Sequence, residues 1–185
     1  MKNINEYIVV FEDIVPYDLC DALLQEYANS NEWIDTNTKG GIRKDIRSAM
    51  TILMSKDQVI FVNENTRKNL DKEVYESAGL AIKKYNEKFN EAHIEEDSGY
   101  ELLRYETGQF YTQHTDSFKA APRAVSCSFG LNDDYEGDEF AFFNREIKIK
   151  VPKGAAVMFP SNFMYPHEIL PVTKGTRYSI VTWFI

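Results

Sequence analysis

The sequence predicts an α+β domain in which N-terminal helices brace an antiparallel double sheet. Three observations lead there. Up to about residue 97 the chain mixes short apolar runs with helical periodicity. After "EEDSG" (95–99) it becomes a succession of short β-branched and aromatic runs. Turn signals separate those runs, among them "NDDYEGDE", "PKG", "PSN" and "TKG". Helices first and strands afterwards suit an α+β arrangement, and many short strands between turns suit a sandwich or barrel.

Each element has its own warrant. "YIVVF" (7–11) is β-branched and aromatic, as strands prefer. In "PYDLCDALLQEYANS" (16–30), Leu19, Leu23, Leu24 and Tyr27 share one helical face, and Pro16 stands near the start, where its missing N–H does no harm. "SAMTILM" (48–54) reads as a strand. Residues 63–92 read as a long helix, with Leu70, Val74, Ala78, Ala81, Ile82 and Tyr85 on the 3.6-residue period. Later strands are expected at 100–106, 110–115, 123–131, 138–142, 146–151, 155–159, 167–172 and 177–185. The polar stretch "DTNTKGGIRKDIRS" (35–48) reads either as a loop that closes on a substrate or as a solvated connection. Tyr135 and Glu136 fall in a second candidate rim loop.

The 185 residues make one domain the simplest organisation, 1–97 as helix-rich support and 98–185 as the core. Hydrophobic residues make up 43% and aromatics 14%, enough for a packed interior. A net charge of −8 argues against an extended nucleic-acid surface, which needs clustered Lys and Arg. Two cysteines, Cys20 and Cys127, supply no disulfide framework and read as buried thiols. No stretch approaches a membrane span or a signal peptide, so a reducing, cytoplasmic setting is expected.

The chemistry-bearing stretch is "QFYTQHTDSF" (109–118). On a strand, His114 and Asp116 project to the same face. A divalent ion needs a third ligand. Only two other histidines exist, and His93 ends a charged helix, which leaves His167 in "YPHEI". Two histidines and a carboxylate can hold one face of an octahedral Fe(II) and leave the other open, while zinc is the competing metal. Alternatively, the pair is an ordinary polar strand end. Arg177 and Ser179 are again two apart on an apolar strand, "GTRYSIVTWFI". A buried guanidinium there needs an anionic partner. It either grips the far carboxylate of a dicarboxylate cosubstrate, with a hydroxyl assisting, or pairs with a structural Asp or Glu, or faces solvent.

From about residue 101 to 184 the sequence resembles the prolyl 4-hydroxylase-like Fe(II)/2-oxoglutarate-dependent dioxygenases. The resemblance rests on "LLRYETGQFYTQHTD", "RAVSCSFGLND", "EGDEFAF", "VPKGAAVMF" and "PHEILPVTKGTRYSIVTWF", in the family's order. It implies a double-stranded β-helix (jelly roll) with the N-terminal helices packed on one sheet. It implies Fe(II) on His114, Asp116 and His167, and 2-oxoglutarate held by Arg177 with Tyr105 and Ser179. Arg123, Tyr111 and Trp183 match positions near the substrate; Arg123 could equally be a surface charge, and Trp183 a core aromatic. O2 is the oxidant, with ascorbate admitted as an accessory, and succinate and CO2 are the coproducts. Both histidines must be neutral to ligate, so activity should fall in mild acid.

Two departures from the family pattern concern the cosubstrate pocket. Gly130 stands where many members have a tyrosine before the Leu-Asn step, so Ser179 or a neighbour must compensate. The usual Gly-Gly of the next turn retains only Gly137, in "EGDE". The leading expectation is hydroxylation of a prolyl residue in a peptide or protein. Rival expectations are a free amino acid, another small metabolite or a nucleic-acid base as substrate, or an inactive jelly-roll binding module.

Overall fold

The computed structural model describes residues 3–38, 40–54 and 64–185. A single 3-10 turn at Ile4–Tyr7 leads into β1 (Val9–Phe11). Helix α1 (Tyr17–Tyr27) follows, then β2 (Ile34–Asp35), β3 (Met50–Leu53) and helix α2 (Glu64–Lys88). The β-rich half contains β4 (Glu101–Glu106), β5 (Tyr111–His114), β6 (Val125–Gly130), β7 (Glu136–Gly137) and β8 (Phe140–Phe142). It ends with β9 (Ile147–Ile149), β10 (Ala156–Pro160), β11 (His167–Ile169), β12 (Val172–Lys174) and β13 (Thr176–Phe184). The run expected as one strand at 167–172 is two, because the chain leaves β11 and starts a separate ribbon with β7. The expected helix at 63–92 starts at a residue outside the described set and closes at Lys88.

The strands form a jelly roll of two facing sheets. The large sheet has seven strands in the order β1-β10-β6-β13-β4-β3-β2, and the small one has four, β5-β11-β8-β9. The N-terminal part is therefore more than helical support: β1 closes one edge of the large sheet, and β2 and β3 close the other. Strand alternation divides the core into two layers. Leu102, Cys127, Phe129, Ile180 and Phe184 point outward and pack under α1 and α2 against residues such as Leu23, Ala81 and Tyr85. Leu103, Tyr105, Val157, Phe159, Phe142 and Ile169 fill the space between the sheets. Both cysteines are free and fully buried. No described helix is long and apolar enough to cross a membrane.

Candidate active site

The register of the small sheet assembles the first part of the site. β11 runs antiparallel to β5 with His167 directly opposite His114. Cross-strand partners on one face lie within side-chain contact, and the two imidazole centroids are 4.3 Å apart. Asp116 joins them differently from the expectation. β5 ends at His114, and Asp116 lies two residues on, in a bend. The bend is fixed from the large sheet. The Ser126 hydroxyl of β6 donates to Asp116 Oδ2 at 2.6 Å and shares a 2.8 Å hydrogen bond with Ser161. Arg123 Nη1 donates to the Asp116 carbonyl at 3.2 Å.

The three side chains converge. His114 Nε2 is 3.5 Å from Asp116 Oδ1, and His167 Nε2 is 3.6 Å from Asp116 Oδ2. One ligand atom from each lies within 4.8 Å of the others. Cis ligands on an octahedral ion with bonds near 2.1 Å would sit roughly 3 Å apart, so the trio fits such an ion with a small contraction. The tautomers fit as well. His114 Nδ1 faces the Thr112 carbonyl at 2.8 Å, and His167 Nδ1 faces the Tyr165 carbonyl at 3.1 Å. Each Nδ1–H is thereby engaged, and each Nε2 lone pair is left for a metal. Burial pushes the His167 imidazole down to about 4, so it is a neutral ligand at ordinary pH. Burial would raise the Asp116 carboxyl, but His167, His114 and the Ser126 hydroxyl together hold it below the usual carboxylate range. His93 is exposed and takes no part.

These residues line a cavity of about 530 Å³ between the sheets. Tyr105, Tyr111, Arg123, Arg177 and Trp183 also line it, as the sequence led one to expect. Tyr111 stacks on His114 with centroids 3.5 Å apart. The Arg123 guanidinium lies 3.4 Å above the Trp183 ring, so it is neither a free surface charge nor detached from that aromatic.

Arg177 is 2% exposed, which removes the solvent-facing alternative. It lines the cavity, and it pairs with a structural carboxylate: its Nε is 2.7 Å from Asp138 Oδ2. The N–H does not aim along that line, so the contact is an ion pair more than a hydrogen bond. Ser128 lies 3.5 Å from Nη2, and the Tyr135 hydroxyl contacts the same guanidinium. Ser179 is on the same face of β13, fully buried, but it is not part of the cavity wall and its hydroxyl has no hydrogen-bond partner. Ser128 holds the place beside Arg177 that the sequence suggested for Ser179.

Both departures from the resembled pattern now have a physical account. A Cβ at Gly130 would meet the Pro152 carbonyl oxygen, closer than atoms can approach, so no tyrosine fits there without moving the backbone. Tyr135 brings its hydroxyl to Arg177 instead, and it is buried behind the arginine, not on a rim; only Glu136 of that pair is exposed, bridged to Lys174 at 3.0 Å. Asp138 has φ of 60°, the left-handed region that a glycine enters freely and that an aspartate tolerates. The turn is kept and a carboxylate is added. Burial pushes that carboxyl up to about 7, against the opposing pull of Arg177. Ser126, Ser128, Asp138 and Arg47 were not singled out from the sequence, and Tyr135 only as a rim residue. The alternation of "VSCSFG", polar residues at 126 and 128 within an apolar strand, was the available signal.

Residues 100–185 match the family model described as the 2OG-Fe(II) oxygenase superfamily. That match takes in just under half of the chain, and over it the chain is similar to the prolyl 4-hydroxylase-like oxygenases. A PKHD-type hydroxylase of Synechococcus sp. (strain JA-2-3B'a(2-13)) is 34% identical to this chain over 89 residues, 43% of this chain and 39% of that protein. The chain thus spans about two-fifths of the length of that curated relative. Rat procollagen-lysine,2-oxoglutarate 5-dioxygenase 1 is 28% identical over 171 residues, 89% of this chain and 22% of that one. In fold the chain is similar to a Trichoplax adhaerens prolyl hydroxylase solved with a hypoxia inducible factor peptide fragment. The TM-score there is 0.79 at 17% identity, covering 97% of this chain and 83% of that one. A Pseudomonas putida prolyl-4-hydroxylase gives 0.73 at 21% identity, covering 96% and 92%. Fe(II), 2-oxoglutarate and O2 are the reactants that the family match implies.

Proposed function

We propose that this chain is an Fe(II)- and 2-oxoglutarate-dependent dioxygenase that hydroxylates an unactivated carbon, with a prolyl residue of a peptide or protein as the first candidate substrate. The observation that carries the reading is the convergence of His114, Asp116 and His167 on one point of a cavity whose wall also holds Arg177. His114, Asp116 and His167 would hold Fe(II), and Arg177 would take the distal carboxylate of 2-oxoglutarate. When bound, iron and 2-oxoglutarate supply the oxidation of a C–H bond by O2, with succinate and CO2 as coproducts.

The chain's own residues do the remaining work. The Thr112 and Tyr165 carbonyls fix which nitrogen of each imidazole is free to ligate. Ser126 holds one oxygen of Asp116 and so orients the carboxylate. Ser128, Tyr135 and Asp138 fix the Arg177 fork, which sets the direction of any bound dicarboxylate. Phe140, Phe159 and Ile169 make the wall near the histidines apolar, which excludes water from the reacting carbon. The prolyl hydroxylase likeness in fold supports a peptide substrate by analogy only.

The test is an oxygen-free preparation given Fe(II) and 2-oxoglutarate, then air, with succinate measured with and without Pro-containing peptides. Metal-dependent succinate that a peptide stimulates, together with hydroxyproline in the peptide, is the expected result. Failure of 2-oxoglutarate to bind in the presence of metal would end the oxygenase reading. Succinate release indifferent to every peptide would end the prolyl assignment alone.

A further inference from the structure

Four of the seven arginines of this acidic chain line the cavity: Arg43, Arg47, Arg123 and Arg177. Three have partners already described or close at hand. Arg177 pairs with Asp138, Arg123 stacks on Trp183, and Arg43 forms an exposed 2.7 Å ion pair with Asp45. Arg47 is different. It is 9% exposed, its Nε has no hydrogen-bond partner, and it makes no ion pair among the described residues. Its surroundings are aromatic: its guanidinium carbon is 4.8 Å from the Tyr111 ring centre, and the Tyr105 hydroxyl lies against it. The carboxylate of Glu101 acts on it from beyond ion-pair distance.

Arg47 is also held in position. The Thr112 N–H donates to the Ile46 carbonyl at 2.8 Å, and the Ser48 N–H donates to the Phe110 carbonyl at 3.1 Å. The end of the 35–48 stretch is thereby fastened along the free edge of β5. The side chain between those two anchors rests on Tyr111, which itself stacks on the ligand candidate His114. A buried guanidinium without a counter-charge is unfavourable unless something completes it. The cosubstrate does not need it, because Arg177 stands ready for that carboxylate.

We propose that Arg47 receives a carboxylate of the substrate, so that the molecule oxidised is a small carboxylic acid such as a free amino acid, with its carboxylate a few bonds from the carbon attacked. This rests on the oxygenase reading for the assignment of Arg177 to 2-oxoglutarate, and it puts a free acid in the place of the prolyl peptide as substrate. A planar carboxylate matches the fork of Arg47 in a way that a neutral backbone amide does not. The aromatic floor under the guanidinium leaves the rest of that ligand directed toward the two histidines.

The probe is a panel of free L-amino acids, each beside its carboxamide, added without oxygen to protein carrying Fe(II) and 2-oxoglutarate. Melting temperature reads binding, and the charge-transfer absorption of the Fe(II)–2-oxoglutarate chelate reads the cosubstrate separately. In the wild type at least one acid should stabilise the protein and bind roughly tenfold or more tighter than its amide. Arg47→Gln should remove that preference and keep the chelate absorption, and Arg47→Lys should retain part of the preference. Without ligand, Arg47→Gln should melt close to wild type, since it loses the stacking on Tyr111 and the Tyr105 contact but also removes a buried charge that has no ion-pair partner among the described residues. Equal behaviour of acids and amides in the wild type, including no binding by either, would overturn the proposal. So would a preference that survives Arg47→Gln, a chelate absorption lost with it, or a marked fall in its unliganded melting temperature. If the wild type itself forms no chelate, the oxygenase reading fails, and the acid–amide comparison on metal-free protein still decides the carboxylate site.

Discussion

The two faces of β13 are built from alternate residues of one nine-residue strand, yet they do opposite things. Outward, Tyr178, Ile180 and Phe184 pack beneath the helices, with Thr182 buried among them. Inward, Arg177, Val181 and Trp183 line the cavity, with Ser179 buried beside them. The outer face is held mainly by packing, and the Thr182 hydroxyl is its one buried polar atom without a hydrogen-bond partner among the described residues. The inner face leaves buried polar atoms without hydrogen-bond partners, the Ser179 hydroxyl and Trp183 Nε1 among them. Buried polar groups are nearly always paired. The same strand therefore stabilises the fold on one side and gives up part of that stability for a binding surface on the other.

The largest expected effect breaks the inner face outright. Asp116→Ala should abolish iron retention and turnover, a loss of more than about 100-fold, beyond what removing an outer-shell group does; metal content and succinate release check it. Next, Ile180→Ala should cost about 2–5 kcal/mol of stability through the cavity it opens under the helices. Denaturant titration reads it, and iron binding to the protein that remains folded should be unchanged. If iron binding fell with it, the two faces would not be separable.

Arg177→Gln should weaken 2-oxoglutarate by about 1.5–3 kcal/mol, or roughly 10–100-fold, as for loss of a charged hydrogen bond. It also strands Asp138 as a buried carboxylate, so a fall in melting temperature should accompany it. Ser126→Ala frees one Asp116 oxygen and should lower iron affinity about tenfold, at the weak end of outer-shell effects. The smallest effect concerns pH. Burial raises the folded pKa of Asp138 to about 7, with Glu139 adding to the rise and Arg177 and Lys150 opposing it. Between the ordinary carboxylate range and pH 7, the folded state holds a proton that the unfolded state has released. That contribution therefore favours folding at low pH and is lost as pH rises toward 7. The protonated form also leaves the Arg177 charge free, so 2-oxoglutarate should bind a few-fold tighter at pH 6.5 than at pH 8. Asp138→Asn should flatten both trends, and calorimetric titration across that range would show it.

Much of the site was legible because ligand chemistry restricts residue types severely. With three histidines and one His-x-Asp step, the trio of His114, Asp116 and His167 followed almost by elimination. Arg177 was visible as a charge inside an apolar strand. Its partner was not. Asp138 sits in a turn that reads as surface, and only its left-handed backbone carries the carboxylate inward. Tyr135, expected on a rim, is buried as well. Ser179 and Ser128 show the limit of strand parity, which assigns a face but not the depth at which a hydroxyl meets the cavity.

The order of elements, the inward and outward alternation and the candidate metal-ligand trio were determined by the sequence itself, because periodicity and ligand chemistry are local properties of residue types. Which groups surround Arg177, and the isolation of Arg47, were decided only by the tertiary structure. Those depend on the pairing of His167 with His114, on the approach of residues 151–152 to Gly130, and on fastening Ile46 and Ser48 to β5. Contacts between segments dozens of residues apart follow from register and packing, and neither is written in any one segment.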